Sequence, residues 1–189
     1  MQVDQGRSGR KLSIFKLTEM PFVRDFEGQL DNIFFSSSAT KTFADDTARK
    51  DFRERWLGRY LKHDQEWFYV ALADEDVAGY LAGSIDDPAR CERFADKSYI
   101  AQLTDVTVRY PAHLHVNVDE TLRNAGVGSR LIELFLFDLQ RAGVRGVHLV
   151  TGRFSRNVVF YQSNGFAPVR SLKVGDGEVL MLGRILSAN

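Results

Sequence analysis

VNVDETLRNAGVGSR, residues 116–130, is the stretch that decides the fold. Val116 and Val118 alternate with polar neighbours, the pattern of a strand buried on one face. A turn carrying Gly126 and Gly128 follows. From Ser129 to Leu139 the residues Leu131, Ile132, Leu134, Phe135 and Leu136 crowd the apolar side of a helix. The stretch therefore predicts strand, glycine turn and helix in direct succession.

That succession suits the capture of an anion. A helix start leaves about four backbone N–H groups without intrahelical partners. The helix dipole places roughly half a positive charge at the same point. Gly126 and Gly128 carry no Cβ, so a ligand can approach the backbone closely. Arg123 and Arg130 add positive charge, and the whole would receive a phosphate or pyrophosphate. On glycine spacing alone, a strand–turn–helix whose glycines serve only the turn fits equally well.

Spacing excludes two phosphate loops. There is no GxxxxGK[ST], and Arg130-Leu131 stands where the third glycine of GxGxxG would fall. What remains is Arg-x-x-Gly-x-Gly at Arg123, Gly126 and Gly128. It resembles the acyl-CoA signature of the GNAT superfamily of N-acetyltransferases, [Q/R]-x-x-G-x-[G/A]. The resemblance implies that Arg123, Asn124, Ala125, Gly126, Val127, Gly128, Ser129 and Arg130 hold the pyrophosphate of acetyl-CoA. It further implies that the strand through Val116 and Val118 offers its backbone to the pantetheine arm.

Outward from this stretch, Lys11–Thr18 reads as a first strand. Pro21 is placed to open a helix, where its missing N–H costs little. Phe22, Phe26, Leu30, Ile33 and Phe34 follow at spacings of three and four, an amphipathic stripe that is core or, less simply, a substrate wall. Asp45 or Asp46 caps a second helix over about 47–62. Residues 66–73 and 77–85 form an antiparallel pair about Asp74-Glu75-Asp76. A short polar helix is expected over 88–97 and an extended piece over 99–105. After the central strand 112–118 and its helix, Gly143 is placed to end that helix. Residues 147–151 form a strand, a helix runs from Ser155 or Arg156 to Gln162, and 166–173 and 179–186 close the sheet. The order β-α-α-β-β-β-α-β-α-β-β is an α/β arrangement around a mixed sheet. It resembles the GNAT acyl-CoA N-acyltransferase fold from about residue 12 onward, with 11–189 as a single domain and 1–10 as a flexible leader.

A second resemblance is Phe160-Tyr161-Gln162-Ser163-Asn164-Gly165-Phe166, similar to the family's F-Y-x-x-x-G-F. It implies that Tyr161 protonates the leaving CoA thiolate and that Phe160 lies with the cofactor. A half-buried core tyrosine is the plainer alternative. The family often has Asn seven residues before this tyrosine. Here that position is Phe154, and Asn157 stands one helical turn before Tyr161, where it can share a face and serve the CoA arm.

Transfer to an amine needs a base for the ammonium substrate. His115 and His113 project from one face of the central strand, with Asn117 continuing it, and histidine titrates in the right range. Hydrogen-bonded structural histidines are the alternative. Asp105 is a third candidate. Asp119 and Glu120, just before the loop, are others. No CxxC or HExxH accompanies the histidines, so no metal is expected.

Composition bounds the rest. The 189 residues suit one sizeable core, and 44% hydrophobic with 26% charged residues is ordinary for a globular protein. Twenty-five basic and 25 acidic residues cancel, which argues against a general nucleic-acid binder. The one cysteine, Cys91, allows no internal disulfide and fits a reducing cytoplasm. Its polar surroundings mark it as a surface residue rather than a nucleophile. No apolar run is long enough for a membrane span, and the N-terminus has no signal-peptide core.

A narrower likeness lies in Tyr110–Val116 and Gly143–Leu149, which are similar to the acetyltransferase-like domain attached to some O-GlcNAc hydrolases and to its free-standing bacterial relatives. No stretch looks like the hydrolase domain. Two functions are therefore expected: acetyl-CoA-dependent N-acetyl transfer to an amine, small molecule or protein, with a homodimer possible as in many relatives; or a non-catalytic binding module that keeps the fold.

Overall fold

The computed structural model describes residues 4–5 and 11–186, so the expected leader 1–10 lies largely outside the described residues. The strands are β1 (Asp4–Gln5), β2 (Lys11–Lys16), β3 (Phe68–Ala73), β4 (Asp76–Ser84), β5 (Ala112–Val118), β6 (Gly146–Gly152), β7 (Ala167–Val174) and β8 (Gly177–Ile185). The α-helices are α1 (Phe26–Ser37), α2 (Asp46–Arg53), α3 (Arg59–His63), α4 (Thr104–Thr107), α5 (Val127–Arg141) and α6 (Asn157–Ser163). A π-turn, Glu54–Gly58, joins α2 to α3. The chain divides into two compact units. One is the chain up to Gly83 together with His115–Phe135; the other is Ser84–Leu114 together with the chain from Leu136 on.

In the first unit β1, β2, β3 and β4 pair antiparallel in sequence order. The β3–β4 register shifts so that Ala71 faces Gly79 and Leu72 faces Val77, which leaves Ala78 as a bulged residue. The Ala78 carbonyl accepts a hydrogen bond from the Asp119 N–H at 2.9 Å. Helix α5 packs Phe135 edge-on against Trp67 and Tyr69. Leu30, Ile33, Phe34, Leu57, Tyr60, Phe68 and Tyr80 are buried around this sheet. Asp45 caps α2 by accepting from the Ala48 N–H at 2.8 Å, as its sequence position predicts.

In the second unit β5 runs parallel to β6, with Ala112 opposite Val147 and His113 opposite His148. β8 then pairs antiparallel with β6 and with β7. Its core gathers Leu103, Leu172 and Met181 against Tyr99, Tyr110 and Val150. Helix α5 ends at Gly143 (φ 70°). The Val144 N–H reaches the Leu139 carbonyl and the Gly143 N–H reaches that of Gln140, a Schellman stop.

Four expectations are corrected. No helix opens at Pro21: Asp25 has φ 51°, a left-handed conformation through which a right-handed helix cannot run, so α1 starts at Phe26. Phe22 thereby leaves the stripe and is 94% exposed. Residues 88–97 hold only a 3₁₀ turn, Glu92–Phe94. Asp87 takes the N–H groups of Ala89, Arg90 and Cys91, and Cys91 is extended. Residues 98–103 are 3₁₀-helical and lead into α4 rather than extended. The spacing of three between the buried Ile100 and Leu103 puts both on one side of such a turn.

Candidate active site

The glycine turn belongs to the first unit. β5 ends at Val118, and Asp119 accepts from the Thr121 N–H at 2.9 Å and from its hydroxyl at 2.5 Å. This consumes Asp119 as a local cap. A 3₁₀ turn, Glu120–Leu122, leads to Arg123. Asn124 (φ 65°) and Gly126 (φ 82°) are both left-handed, and the chain then enters α5 at Val127. A Cβ placed on Gly126 would meet nothing within 4 Å. Its glycine is therefore required by the dihedral, and the space beside it is open to a ligand.

The Gly126 carbonyl accepts from the Arg130 N–H at 3.1 Å, which makes Gly126 the cap of α5. The N–H groups from Gly126 to Ser129 precede the first intrahelical donor and point out of the helix end. The first turn of α5 contains no acidic side chain, so nothing within it offsets the positive end of the dipole. Val127 and Gly128 are buried, Arg123, Ala125, Ser129 and Arg130 half-buried, and Asn124 and Gly126 exposed. This arrangement fits a pyrophosphate.

Upstream, Val116 and Val118 are half-buried on β5. A Cβ on Gly79 would lie 2.8 Å from the Asn117 carbonyl and 3.1 Å from the Val118 Cα, so β4 and the end of β5 approach closely only because residue 79 is glycine. Asn117 donates from Nδ2 to the Tyr80 hydroxyl at 2.7 Å. Burial pushes the Tyr80 phenol well above its ordinary range, so it stays protonated and keeps its own hydrogen to donate. Tyr80 is fully buried and stacks on Phe68. In sequence Tyr80 is one apolar-strand residue among several, so nothing there marks its contact with Asn117. His115 is half-buried, with its ring edge-on to Tyr60 at 5.0 Å between centroids. Arg53 joins α2 to α1 through Asp31 (2.6 Å) and Glu27 (3.1 Å). The aromatic stripe is continuous: Phe34, Phe35, Phe43, Phe52 and Trp56 meet ring to ring.

The remaining candidates belong to the second unit. His113 is 6% exposed, edge-on to Phe94 at 4.6 Å and beside His148 at 5.7 Å. Its setting is that of an interior aromatic contact. Asp105 stands in α4, and Arg170 grips it with two hydrogen bonds of 2.6 and 2.7 Å. That bidentate partner holds the carboxyl below its ordinary range, which makes it a poorer proton acceptor than a free aspartate. Tyr161 is 5% exposed between Phe160 and Phe166. Asn157 begins α6 and is exposed; its N–H reaches the Ser155 hydroxyl at 3.3 Å. Phe160 is half-buried. Among the described residues no group of three or more His, Cys, Asp or Glu could hold a metal, and no helix is long and apolar enough to cross a membrane.

No curated protein matches the chain. The chain is similar to the crystal structure of SsHAT, at 22% identity and a TM-score of 0.67 over 93% of this chain and 98% of that one. It is similar to the polyamine N-acetyltransferase of Drosophila melanogaster, which forms N-acetylagmatine, at 16% identity and 0.65 over 93% and 100%. It also matches a chain of the NatC complex bound to Gag peptide and CoA, at 13% and 0.61 over 93% and 99%. At these identities the likeness is one of fold. Residues 64–168, more than half of the chain and including β5, the glycine turn, α5 and α6, match the model of an acetyltransferase (GNAT) domain, and the chain belongs to that family of acetyltransferases.

Proposed function

We propose that the protein binds acetyl-CoA at the Arg123–Arg130 turn and transfers the acetyl group directly to a primary amine. The observation that carries this reading is the turn itself: Arg-x-x-Gly-x-Gly at the start of α5, with open space at Gly126 and no acid in the first helical turn. Bound acetyl-CoA supplies an activated acyl carbon, whose bond to sulfur breaks as its bond to the amine nitrogen forms.

The chain supplies the rest. N–H groups of the α5 start receive the pyrophosphate, with Arg123 and Arg130 as charged partners. The backbone of β5 at Val116 and Val118 orients the pantetheine arm, and N–H groups near Val118 stabilise the developing oxyanion. His115 takes the proton of the ammonium substrate. It ranks ahead of the interior His113 and the arginine-bound Asp105 because it is half-buried on β5 rather than fully enclosed or held by an arginine. Tyr161 gives a proton to the thiolate, a role carried by its place in the Phe160–Phe166 motif. Asn157 and Phe160 attend the cofactor. The family match runs without a break through residues of both compact units, which supports one acetyltransferase-like domain. The finer kinship with the domain found on O-GlcNAc hydrolases rests on Tyr110–Val116 and Gly143–Leu149, and a cytoplasmic location on the solitary Cys91.

The test is calorimetric titration of acetyl-CoA into the wild type and Arg123→Glu. Micromolar binding that the variant loses supports the reading; no binding to the wild type overturns it. Binding without transfer to any amine in an acceptor screen would mark a non-catalytic module instead.

A further inference from the structure

Between the end of α1 and the start of α2 lies a cavity of about 320 Å³ that the transfer reaction above does not use. Phe35, Lys41, Phe43, Asp45, Asp46 and Arg49 line it, and all of them belong to the first compact unit. Its walls are held in place. The Phe35 and Phe43 rings meet edge to face at 5.9 Å between centroids. Lys41 donates to the Phe35 and Ser36 carbonyls at 3.3 and 2.7 Å. Asp45 is engaged by the Ala48 N–H. The Arg49 guanidinium sits over the Phe35 ring, 3.6 Å from its centre, a contact that fixes where the fork stands. Two lining groups are left for a ligand. Among the described residues no carboxylate pairs with Arg49 and no cation pairs with Asp46, and both side chains are exposed.

These groups ask for three features in one small ligand. The Arg49 fork pairs with a carboxylate. Asp46 accepts from an ammonium. The crossed rings of Phe35 and Phe43 take an aromatic or bulky apolar body. Positions 46 and 49 are three apart on α2 and so are neighbours on one face, about 5–6 Å between Cβ atoms. That separation lets the two charged groups of a single α-amino acid reach both. Lys41 and Arg49 are balanced by Asp45 and Asp46, so the lining has no net charge and favours a zwitterion over a dianion such as a phosphate ester. The volume stands at the small end of ligand pockets, roughly 300–1,000 Å³, which suits a metabolite rather than a nucleotide. We infer that the cavity between α1 and α2 binds a free α-amino acid with an aromatic or large apolar side chain, its carboxylate on Arg49, its ammonium on Asp46 and its side chain against Phe35 and Phe43. The inference rests on this cavity and not on the acetyl-CoA reading, so either can fail alone.

The experiment follows backbone amide NMR shifts of the wild type, Arg49→Gln and Asp46→Asn during titration with L-phenylalanine, 3-phenylpropanoate and phenethylamine. The last two lack the ammonium and the carboxylate in turn. L-Phenylalanine is expected to give saturable shifts centred on residues 40–49 and to bind about tenfold more tightly than either fragment. Arg49→Gln is expected to lose about tenfold for L-phenylalanine and 3-phenylpropanoate and nothing for phenethylamine. Asp46→Asn is expected to lose about tenfold for L-phenylalanine and phenethylamine and nothing for 3-phenylpropanoate. Both substitutions fall on exposed side chains, and free-variant spectra that overlay the wild type away from 40–49 show that the fold is kept. The absence of saturable shifts at 40–49 would overturn the site, as would equal affinity for the three probes or affinities that neither variant changes. Shifts centred on the glycine turn instead would place the amino acid in the transfer site and overturn this one, leaving the acetyl-CoA reading standing.

Discussion

Acidification from pH 7 to pH 5 is expected to destabilise the fold through His148, and the size follows from its surroundings. The ring is 2% exposed, and its Nδ1 lies 2.6 Å from the Tyr110 carbonyl oxygen. A carbonyl can only accept, so Nδ1 carries the proton of a neutral imidazole. Burial, the largest influence, pushes the pKa from 6.5 down to about 4; the Tyr110 carbonyl and Asp87 oppose the shift, and Lys97 adds to it. The unfolded chain therefore takes up a proton near 6.5 while the folded chain waits until about 4. Between these values the unfolded state holds more protons, so stability falls as pH falls. A difference of that size amounts to roughly 3 kcal/mol, of which about 2 kcal/mol is lost between pH 7 and pH 5. Urea denaturation at pH 7, 6 and 5 measures it, with His148→Gln as the reference because glutamine stays neutral and can still donate to Tyr110. The wild type is expected to lose about 2 kcal/mol more than the variant over that interval. Parallel loss in the two proteins would refute the reasoning.

Gly79→Ala is expected to cost about 2 kcal/mol in urea denaturation, because its Cβ would fall 2.8 Å from the Asn117 carbonyl, where backbone must move. Gly143→Ala should cost about 1 kcal/mol: its φ is 70° but nothing crowds the site, so only the dihedral is penalised, and a larger loss would mean the Schellman stop had opened. Asp45→Ala removes the acceptor for the Ala48 N–H and should lower stability by about 1 kcal/mol, read as a shift in the urea midpoint without change in slope. Tyr161→Phe is expected to lower kcat for amine acetylation about a hundredfold while leaving calorimetric acetyl-CoA affinity as it was; equal rates would remove Tyr161 from proton transfer.

Local pattern was enough for the parts that depend on near neighbours. The alternation ending at Val118, the left-handed need at Gly126 and the apolar face from Leu131 to Phe135 are properties of consecutive residues, and β5, its turn and α5 follow from them. The same holds for the Asp45 cap and the Gly143 stop, whose partners lie within five residues. Pro21 misled because proline permits a helix start without requiring one, and it was the left-handed Asp25 that delayed it. Residues 88–105 misled because their periodicity is set by Phe94, Ile100 and Leu103 turning inward toward partners distant in sequence.

What each candidate side chain could do was decided by such distant partners. The sequence by itself determined the family, the glycine turn and the strand that leads into it, because these are encoded by glycine, arginine and alternating valine within fifteen residues. Only the tertiary structure decided that Asp105 is clamped by Arg170, 65 residues away, that His113 is an interior ring against Phe94, that Tyr80 meets Asn117, and that Phe154 stands out in water. Proton affinity and accessibility depend on desolvation and on charges within a few ångströms, and those neighbours are chosen by packing rather than by chain order.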